Sequence, residues 1–440
     1  MSQDRKLGVR SGVAIVVSNM IGAGVFISTG FMAQTMGPGI ILLAWVVGGV
    51  IAFCGARAYA TAARLVPRSG GEYRFLSEFW HPFVGFLAGW CSLLLGFSAP
   101  IAVDAFAAGD FLKTLGVGLD PRYFGALLVV LLTVVHAIGL HWSKWAQNLL
   151  VVVNGVLIAG FIVLGLALGN NHWPAWTPPE ASAGFPLASF MANLFYIAFA
   201  FSGWNAVVYA AEDFREPRRT VPRAMLVGCL LVGVVYLLVN WVFVANLTPD
   251  QAKVVFDYDT ARVTLGHLIT RGIAGEAGAR AMSVLAIVAF TSAMSAMMFA
   301  GPRVYSAMAR EGFLPHVLAG QEGKPPLGSV VLQGAFALVL IFTHELQQVL
   351  QNVGAVLTLF SALTALGLFR VRFGRRWADE EPPRISSLVA AAVFVAFAAW
   401  MLYFGVRNSR ETHLLLWLGA IFASAAVSYG VARAVRQREA

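Results

Sequence analysis

The feature that most constrains this chain of 440 residues is a succession of apolar runs, each about twenty residues long. A run of ~20 apolar residues is long enough to cross the hydrocarbon core of a bilayer. Because lipid offers no partner for backbone polar groups, each such run must be a helix that satisfies its own N–H and C=O groups. Charged side chains make up 12% of the chain, against roughly 25% in a soluble domain. The sequence therefore predicts an all-α polytopic membrane protein and excludes soluble, disordered, collagen-like and disulfide-rich classes.

The apolar runs predict twelve transmembrane helices in a single transmembrane domain, 1–440. They lie near residues 11–35, 38–63, 80–109, 123–141, 146–169, 186–210, 222–246, 280–308, 328–343, 346–369, 386–405 and 413–433.

Lysine and arginine residues are unevenly distributed between the loops, and this predicts the orientation of the chain. If the N-terminus is cytoplasmic, the densest clusters, within 215–223 and 370–384, both lie inside, and the outer loops carry far fewer cations. An excess of cations in cytoplasmic loops is the usual arrangement. We expect a multi-pass protein of the cell membrane with both termini in the cytoplasm. The net charge of +9 then belongs to loops that flank a bilayer, and we expect no nucleic-acid partner.

Two of the predicted spans have an anomalous glycine segment near their middle. The first carries Gly22 and Gly24 within 21–26, and the sixth carries Gly203 within 199–205. Each glycine costs about 1 kcal/mol of helix propensity, so both segments are candidates for unwinding. The alternative is close helix packing, for which membrane helices also use small residues.

The positions of the two glycine segments favour unwinding. They begin the two halves of a five-plus-five arrangement, and interrupted helices at matching positions of two repeats indicate a transport site. We therefore predict a first inverted repeat over 11–169, a second over 186–370 and two extra helices over 385–433.

An interrupted helix offers unpaired N–H groups at one half-helix and unpaired carbonyls at the other. The N–H end attracts a carboxylate, and the carbonyl end attracts an ammonium group. Two such breaks can therefore hold the α-carboxylate and α-amine of a zwitterion. Neither break contains Asp, Glu, Lys or Arg, so we expect a ligand that is neutral overall, because a cationic ligand side chain would need a buried counter-ion.

Several stretches of sequence together resemble the amino acid–polyamine–organocation (APC) superfamily of transporters, and in particular its L-type amino acid transporter branch. The resemblance extends from about Gly12 to Phe369. The stretches are Ile21-Gly22-Ala23-Gly24-Val25-Phe26, the loop Pro67-Arg68-Ser69-Gly70-Gly71-Glu72-Tyr73, Phe201-Ser202-Gly203-Trp204-Asn205 with Glu212–Pro217 and Val221–Ala224, Gly301-Pro302-Arg303-Val304-Tyr305, and Ala309–Pro315.

The resemblance implies a LeuT-like fold and a secondary-active permease for neutral L-amino acids that works by alternating access. It implies no enzymatic activity, cofactor or metal. It places the substrate carboxylate on the N–H groups of Gly22, Ala23 and Gly24. We expect Gly24→Val to block this contact while leaving folding nearly intact.

The resemblance also implies partners for the rest of the substrate. The amine would contact the carbonyls of Met20 or Ile21, Phe199 and Ser202, in a site completed by Ala200 and Phe201. Phe199 would be an aromatic lid on the outer side; the alternative is that Phe199 and Phe201 are simple lipid-facing bulk. Ser202 replaces a glycine common among relatives, which favours small or medium substrates.

Energy coupling is where the sequence departs from related transporters. Asn154 lies where many relatives have lysine. Thr291 and Ser292 could offer hydroxyls to a sodium ion, or could bond to carbonyls of their own helix. Asp104, an ionisable group within a span, is a candidate proton site or a carboxylate near the interface. We expect cation-independent exchange or facilitation, with proton coupling through Asp104 second and sodium coupling last.

The remaining function classes have little support. An intramembrane enzyme would need a catalytic motif, and a channel would need a ring of charges or a filter; neither is visible. The cysteines Cys54, Cys91 and Cys229 lie inside apolar stretches, and the outer loop near 110–122 has none. We therefore expect no disulfide-linked heavy-chain partner.

Overall fold

The computed structural model describes residues 7–138, 140–174, 176–179, 184–321, 326–344, 346–374, 377, 381–408 and 413–439, and this part of the chain is helical without a β-strand. An isolated bridge pairs Leu7 with Phe214. The prediction of an all-α protein is confirmed for these residues.

Seventeen α-helices make up the described part of the chain. The first nine are α1 (Val9–Met20), α2 (Ala23–Met32), α3 (Pro38–Leu65), α4 (Glu72–Phe79), α5 (Pro82–Cys91), α6 (Ser98–Thr114), α7 (Pro121–Ile138), α8 (Leu140–Leu168) and α9 (Leu187–Ala200). The other eight are α10 (Pro217–Asn246), α11 (Pro249–Asp257), α12 (Asp259–Val263), α13 (Leu265–Arg310), α14 (Leu327–Thr343), α15 (Leu346–Phe373), α16 (Ile385–Asn408) and α17 (His413–Glu439).

Nine stretches of the described residues are long and apolar enough to cross a membrane. Two of them join consecutive helices: Val9–Met32 contains α1 and α2, and Pro82–Thr114 contains α5 and α6. The helices α9 and α14 are apolar but shorter. The protein is therefore a multi-pass membrane protein.

The helices form an inner group surrounded by an outer group. The helix α2 and the membrane-spanning part of α6 are almost completely buried, and α13 packs against both. The outer helices α7, α8 and α10 instead expose large apolar side chains such as Leu127, Val156 and Leu230. Exposed apolar surface of this kind suits contact with lipid. The polar groups of the inner helices are thus kept away from the lipid-facing surface.

The first predicted span is interrupted where its glycines lie. Helix α1 ends at Met20 and α2 begins at Ala23, with Gly22 between them in extended conformation. We call residues 21–22 the first break. The interruption predicted for this span is confirmed.

The sixth predicted span is interrupted as well. Helix α9 ends at Ala200, and a 3₁₀-helix begins only at Ala206 and runs to Asp213. We call residues 201–205 the second break. The structure thus places an interruption in both segments that the glycines marked.

A third interruption was not predicted. Between α5 and α6 the chain forms a π-helix over Ser92–Gly96. Pro100 explains its position: proline has no N–H to donate to the carbonyl four residues earlier, and its ring clashes with that carbonyl. In the wider π turn the Phe97 N–H bonds to the Ser92 carbonyl at 3.3 Å. This turn accommodates the missing hydrogen bond and the proline ring.

Candidate substrate site

The two breaks cross each other at very short distance. A Cβ atom at Gly24 would lie 2.5 Å from the Cα of Ala200, at the end of α9. A Cβ atom at Gly203 would lie 2.7 Å from the carbonyl oxygen of Asn19, at the end of α1. Gly24, just after the first break, and Gly203, in the second break, thus each allow a close approach to the backbone of the other interrupted helix.

This contact overturns one expectation about Gly24. A valine there would collide with the Ala200 backbone, which cannot move aside as a flexible side chain would. Gly24→Val must therefore disturb the packing of α2 against α9 and cannot leave folding nearly intact. The glycine is required for packing, whatever it contributes to binding.

The N–H end of the first break faces a carboxylate. The N–H of Ala23, the first residue of α2, donates to Oδ1 of Asp104 at 2.6 Å. Asp104 comes from α6 and is only 2% exposed. A negative charge at this point is stabilised by the partial positive charge of the helix N-terminus. Asp104 is a coupling candidate from the sequence, but its contact with the predicted carboxylate site was not predicted.

The other two predicted carboxylate donors differ in their partners. The N–H of Gly22 donates to the Met20 carbonyl at 3.0 Å. Gly24 lies in the first turn of α2, where N–H groups have no carbonyl of their own helix to bond. Of the three predicted donors, the Gly24 N–H is the one for which the described residues provide no acceptor.

The carbonyl ends of both breaks meet at one hydroxyl. The Tyr236 hydroxyl, on α10, lies against the Ala200 carbonyl at 2.8 Å and also against the Met20 carbonyl. A hydroxyl has a single proton, so it donates to one of these carbonyls at a time. Phe199, another predicted acceptor, receives the Ser202 N–H at 2.9 Å. Tyr236 was not predicted from sequence.

A polar chain crosses the inner helices and ends on the backbone of Tyr236. Trp45 donates its indole N–H to the Thr29 hydroxyl at 2.9 Å, and Thr29 donates to Oδ1 of Asn240 at 2.5 Å. Asn240 then donates to the Tyr236 carbonyl at 2.8 Å. The ring of Phe201 packs edge-on against Tyr236. Tyr236 and Asn240 are polar residues inside an apolar run, and that signal could have identified them.

A cavity opens beside the second break. Its walls come from α1, α3, α6, α9, α13, α15 and α16, from the π-helix before α6, and from the second break with its 3₁₀-helix. Two predicted site residues, Phe201 and Ser202, line the cavity, and they are joined there by Asn19, Pro100, Asn205 and Met297. The predicted residues Met20, Ile21, Gly22, Ala23, Gly24, Phe199 and Ala200 lie around the crossing rather than in the cavity wall.

The predicted aromatic residues are inside the protein. Phe199 is 5% exposed and Phe201 is 2% exposed. Neither is therefore lipid-facing bulk, which was the alternative to a role at the site.

A buried carboxylate connects the second break to the loop before α4. Oε1 of Glu72 accepts from the Tyr59 hydroxyl at 3.0 Å and from the Asn205 amide at 2.6 Å. Oε2 accepts from the Tyr209 hydroxyl at 2.7 Å. We call Glu72 and these three donors the Glu72 cluster. Because Asn205 and Tyr209 line the cavity, the cluster fixes one side of it.

Further contacts tie the same end of α4 to α13. Tyr73 and Arg74 both bond to Glu311, the residue after α13. A separate pair joins Arg303 of α13 to Asp213 of the 3₁₀-helix at 3.3 Å. The loop motif at 67–73 was recognised in the sequence, but the partners of its side chains come from distant parts of the chain.

The coupling candidates other than Asp104 occupy different environments. The Thr291 hydroxyl donates to the Ile287 carbonyl of its own helix at 2.8 Å. Ser292 and Asn154 are both buried. Among the described residues, neither the Ser292 hydroxyl nor Oδ1 of Asn154 has a hydrogen-bond partner.

Metal-ligating side chains do not assemble in the described part of the chain. No group of three or more His, Cys, Asp or Glu residues there could hold a metal ion. Cys54, Cys91 and Cys229 are free thiols.

Comparison with known proteins gives one consistent result. Residues 7–426 match the family model described as amino acid permease. The mouse large neutral amino acids transporter small subunit 2 is 26% identical over 421 residues, which are 91% of this chain and 76% of the relative. The mouse b(0,+)-type amino acid transporter 1 is 27% identical over 398 residues, 87% of this chain and 78% of the relative. The human b(0,+)-type transporter is 26% identical over 391 residues, 85% of this chain and 77% of the relative.

Proposed function

The chain belongs to the amino acid permease family, and from this premise we propose that it exchanges neutral L-amino acids across a cell membrane by alternating access. It is an amino acid transporter and not an enzyme. Relatives named for large neutral amino acids and for b(0,+)-type transport support this substrate class.

The crossing of the two breaks is the observation that carries the proposal. Gly24 contacts Ala200 and Gly203 contacts Asn19, so the N–H end of α2 lies close to the carbonyl ends of α1 and α9. A zwitterion has its amine and carboxylate on one carbon, and its two groups need partners at this short separation. Gly22, Ala23 and Gly24 would bind the carboxylate, and the carbonyls of Met20 or Ile21, Phe199 and Ser202 would bind the amine.

The cavity beside the second break would take the substrate side chain. Apolar residues such as Ile51, Met297 and Leu357 dominate its wall, with Ser202 at the break. An apolar wall suits an uncharged aliphatic side chain. The hydroxymethyl group of Ser202 would favour small or medium side chains, and Phe199 would close the site from outside.

For the architecture we propose twelve spans in two inverted repeats, 11–169 and 186–370, followed by two extra helices, 385–433. The nine long candidate spans would be completed by α9 with its 3₁₀-helix, by α14 and by α17. Both termini would be cytoplasmic, and no disulfide-linked partner would be required.

Counterflow in proteoliposomes tests the proposal. Purified protein is reconstituted with unlabelled L-leucine inside, and labelled L-leucine is supplied outside without an ion gradient. A carrier that exchanges its substrate accumulates label transiently above the outside concentration, whereas a channel only equilibrates it. L-Leucinamide outside should compete poorly, because it lacks the carboxylate. Counterflow absent for L-leucine, L-alanine and L-phenylalanine alike would contradict the proposed function.

A further inference from the structure

We propose that Asp104 and the substrate carboxylate compete for the same N–H groups at the start of α2, so that each amino acid binds together with one proton, which Asp104 takes up. This inference rests on the proposed function, because it assumes that the ligand carries an α-carboxylate. It assigns to Asp104 the control of binding by pH.

The geometry of Asp104 carries the inference. Oδ1 accepts the Ala23 N–H at 2.6 Å. A Cβ atom at Gly22 would lie 2.9 Å from Oδ1 and 3.1 Å from Oδ2, so both carboxylate oxygens lie against the first break. A carboxylate of the protein therefore faces the N–H groups predicted for the substrate carboxylate. It already accepts a hydrogen bond from one of them, the Ala23 N–H.

Elementary electrostatics then limits the charge that this site can hold. A helix N-terminus has a partial positive charge of roughly half a unit, which can stabilise one carboxylate. Two carboxylates that share a site cannot both remain ionised, and one of them takes up a proton. The substrate carboxylate is the stronger acid as an amino acid α-carboxyl. The proton therefore goes to Asp104.

No positive side chain relieves the repulsion in the part of the chain that the structure describes. Asp104 makes no ion pair there, and its hydrogen bond is the one from Ala23. The buried Tyr236 hydroxyl bonds to the carbonyls of the breaks, and His136 contacts Ser295. The titratable and charged side chains on the elements that pack against α6 are Arg122, Tyr123 and His136 on α7, Asp259 and Arg262 on α12, His267, Arg271, Glu276, Arg280, Arg303, Tyr305 and Arg310 on α13, and Arg370 and Arg372 on α15, with Asp110 and Lys113 on α6 itself.

Those side chains that carry charge have other partners or lie towards helix ends. Arg262 pairs with Asp259, Arg280 with Glu276, and Arg303 with Asp213. Neither α2 nor α14 contains an ionisable side chain. A proton from water is thus the available counter-charge.

The chemical step is a simple protonation. A proton from solvent forms an O–H bond on the Asp104 carboxylate, and the neutral acid releases the Ala23 N–H to the substrate carboxylate. The new O–H can donate to a substrate oxygen. During exchange each direction carries one amino acid and one proton, so no net proton movement results. Net uptake without exchange carries one proton inward with each amino acid.

Isothermal titration calorimetry with L-leucine and L-alanine tests the inference on the detergent-purified wild-type protein. Titrations in buffers with different ionisation enthalpies give the number of protons taken up per bound amino acid. We expect the number of protons to approach one as the pH is raised, and Kd should rise about tenfold per pH unit where free Asp104 is ionised. Kd rises with pH because the proton is bound in the complex and absent from the free protein.

Two variants on the same helix provide the comparison. Asp104→Asn keeps the shape of the side chain without its charge, and it should bind L-leucine without proton uptake and with a pH-independent Kd. Asp110→Asn removes a second carboxylate of α6, six residues further on, and should keep the wild-type proton uptake and pH dependence. The wild-type titrations alone decide the proton count if Asp104→Asn does not fold.

Each outcome has a definite meaning. Amino acid binding without proton uptake by the wild type, or uptake that persists in Asp104→Asn, would overturn the inference and leave the proposed function standing. Binding of isoamylamine, which is leucine without its carboxylate, in preference to L-leucine would overturn both, since Asp104 would then be the counter-ion of an amine. If neither amino acid binds at any pH, the proposed function fails and the inference fails with it.

Discussion

At Gly203 the backbone has a φ of +103°, in the left-handed region that side chains with a Cβ rarely adopt. The Asn19 carbonyl oxygen occupies the space next to it. The second break therefore depends on glycine for two separate reasons, its conformation and its packing. At position 24, glycine is required for packing alone.

Gly203→Ala should accordingly be among the most damaging small substitutions in this chain. Strain at a positive φ costs of the order of 1–3 kcal/mol, and the clash with the Asn19 backbone adds to it. We expect a lower midpoint of thermal unfolding in detergent and loss of L-leucine counterflow. Gly233→Ala is the matched control, because a Cβ there meets only a Phe201 ring atom at 3.9 Å. Equal unfolding midpoints for the two variants would contradict this reading of the second break.

Tyr236 is the second residue on which the crossing depends, and it acts through its hydroxyl. Tyr236→Phe removes one oxygen and leaves the buried Ala200 carbonyl without its donor. A buried polar group without a partner costs about 1–3 kcal/mol. We expect a lower free energy of unfolding and slower exchange of L-leucine, measured by thermal unfolding and by counterflow. Tyr123→Phe, at a 63% exposed position on α7, should change neither; unchanged stability and exchange in Tyr236→Phe would refute the role of the hydroxyl.

At the scale of elements, the helix interruptions differ in how well the sequence predicts them. Glycine in an apolar run lowers helix propensity locally, and the first and second breaks lie at Gly22 with Gly24 and at Gly203. The π-helix before α6 has an equally local cause in Pro100, but proline is common enough in membrane helices that its effect is decided by the surrounding packing. Local signals thus predict where a helix is weak more readily than the form it takes.

The partners of the interrupted elements could not be predicted from local sequence. Glu72 and Asn205 are 133 residues apart in the chain, and Ala23 and Asp104 are 81 apart. Periodicity gives the face of a helix but not which turn of a neighbouring helix stands opposite. That is why Asp104 was identified as an unusual ionisable residue and its contact with the predicted carboxylate site was missed.

The Glu72 cluster should control access to the cavity from the α4 side. Glu72→Gln keeps the size of the side chain but exchanges two acceptor oxygens for one oxygen and one NH₂ donor. The NH₂ group would face donors, so the tie between α4 and the second break should weaken. We expect faster maleimide labelling of a cysteine introduced at Thr358, in the cavity wall.

The control for this experiment is Glu78→Gln, six residues further along the same helix and outside the Glu72 cluster. It should leave the labelling rate at position 358 unchanged. If Glu72→Gln also leaves that rate unchanged, the cluster does not restrict access to the cavity.

At the scale of the whole molecule, the distribution of charge and apolar surface predicts the class of protein well. The apolar runs predicted a polytopic helical chain, and nine long candidate spans are present in the described residues. The predicted span 328–343 corresponds to α14, Leu327–Thr343. The predicted span 186–210 contains a shorter helix, α9, because the second break ends α9 at Ala200.

Orientation in the membrane is open to direct measurement. Val117 lies in the loop after α6, and Arg219 lies at the start of α10 with its side chain 76% exposed. With cytoplasmic termini, Val117→Cys should react with a membrane-impermeant maleimide added to intact cells, and Arg219→Cys should react only after permeabilisation. The wild-type protein, whose three cysteines are buried or half-buried, is the background control. The opposite pattern would reverse the proposed orientation.

We propose that the crossed breaks hold both the carboxylate and the amine of a neutral amino acid. Competition against labelled L-leucine exchange in proteoliposomes measures this directly, with four compounds that share one side chain: L-leucine, L-leucinamide, isoamylamine and 4-methylpentanoate. The last three lack the carboxylate charge, the carboxylate group and the amine, respectively. We predict strong competition by L-leucine alone, with each analogue weaker by at least tenfold. Competition by any one analogue as strong as that of L-leucine would show that one of the two breaks does not bind the substrate, and would contradict the account.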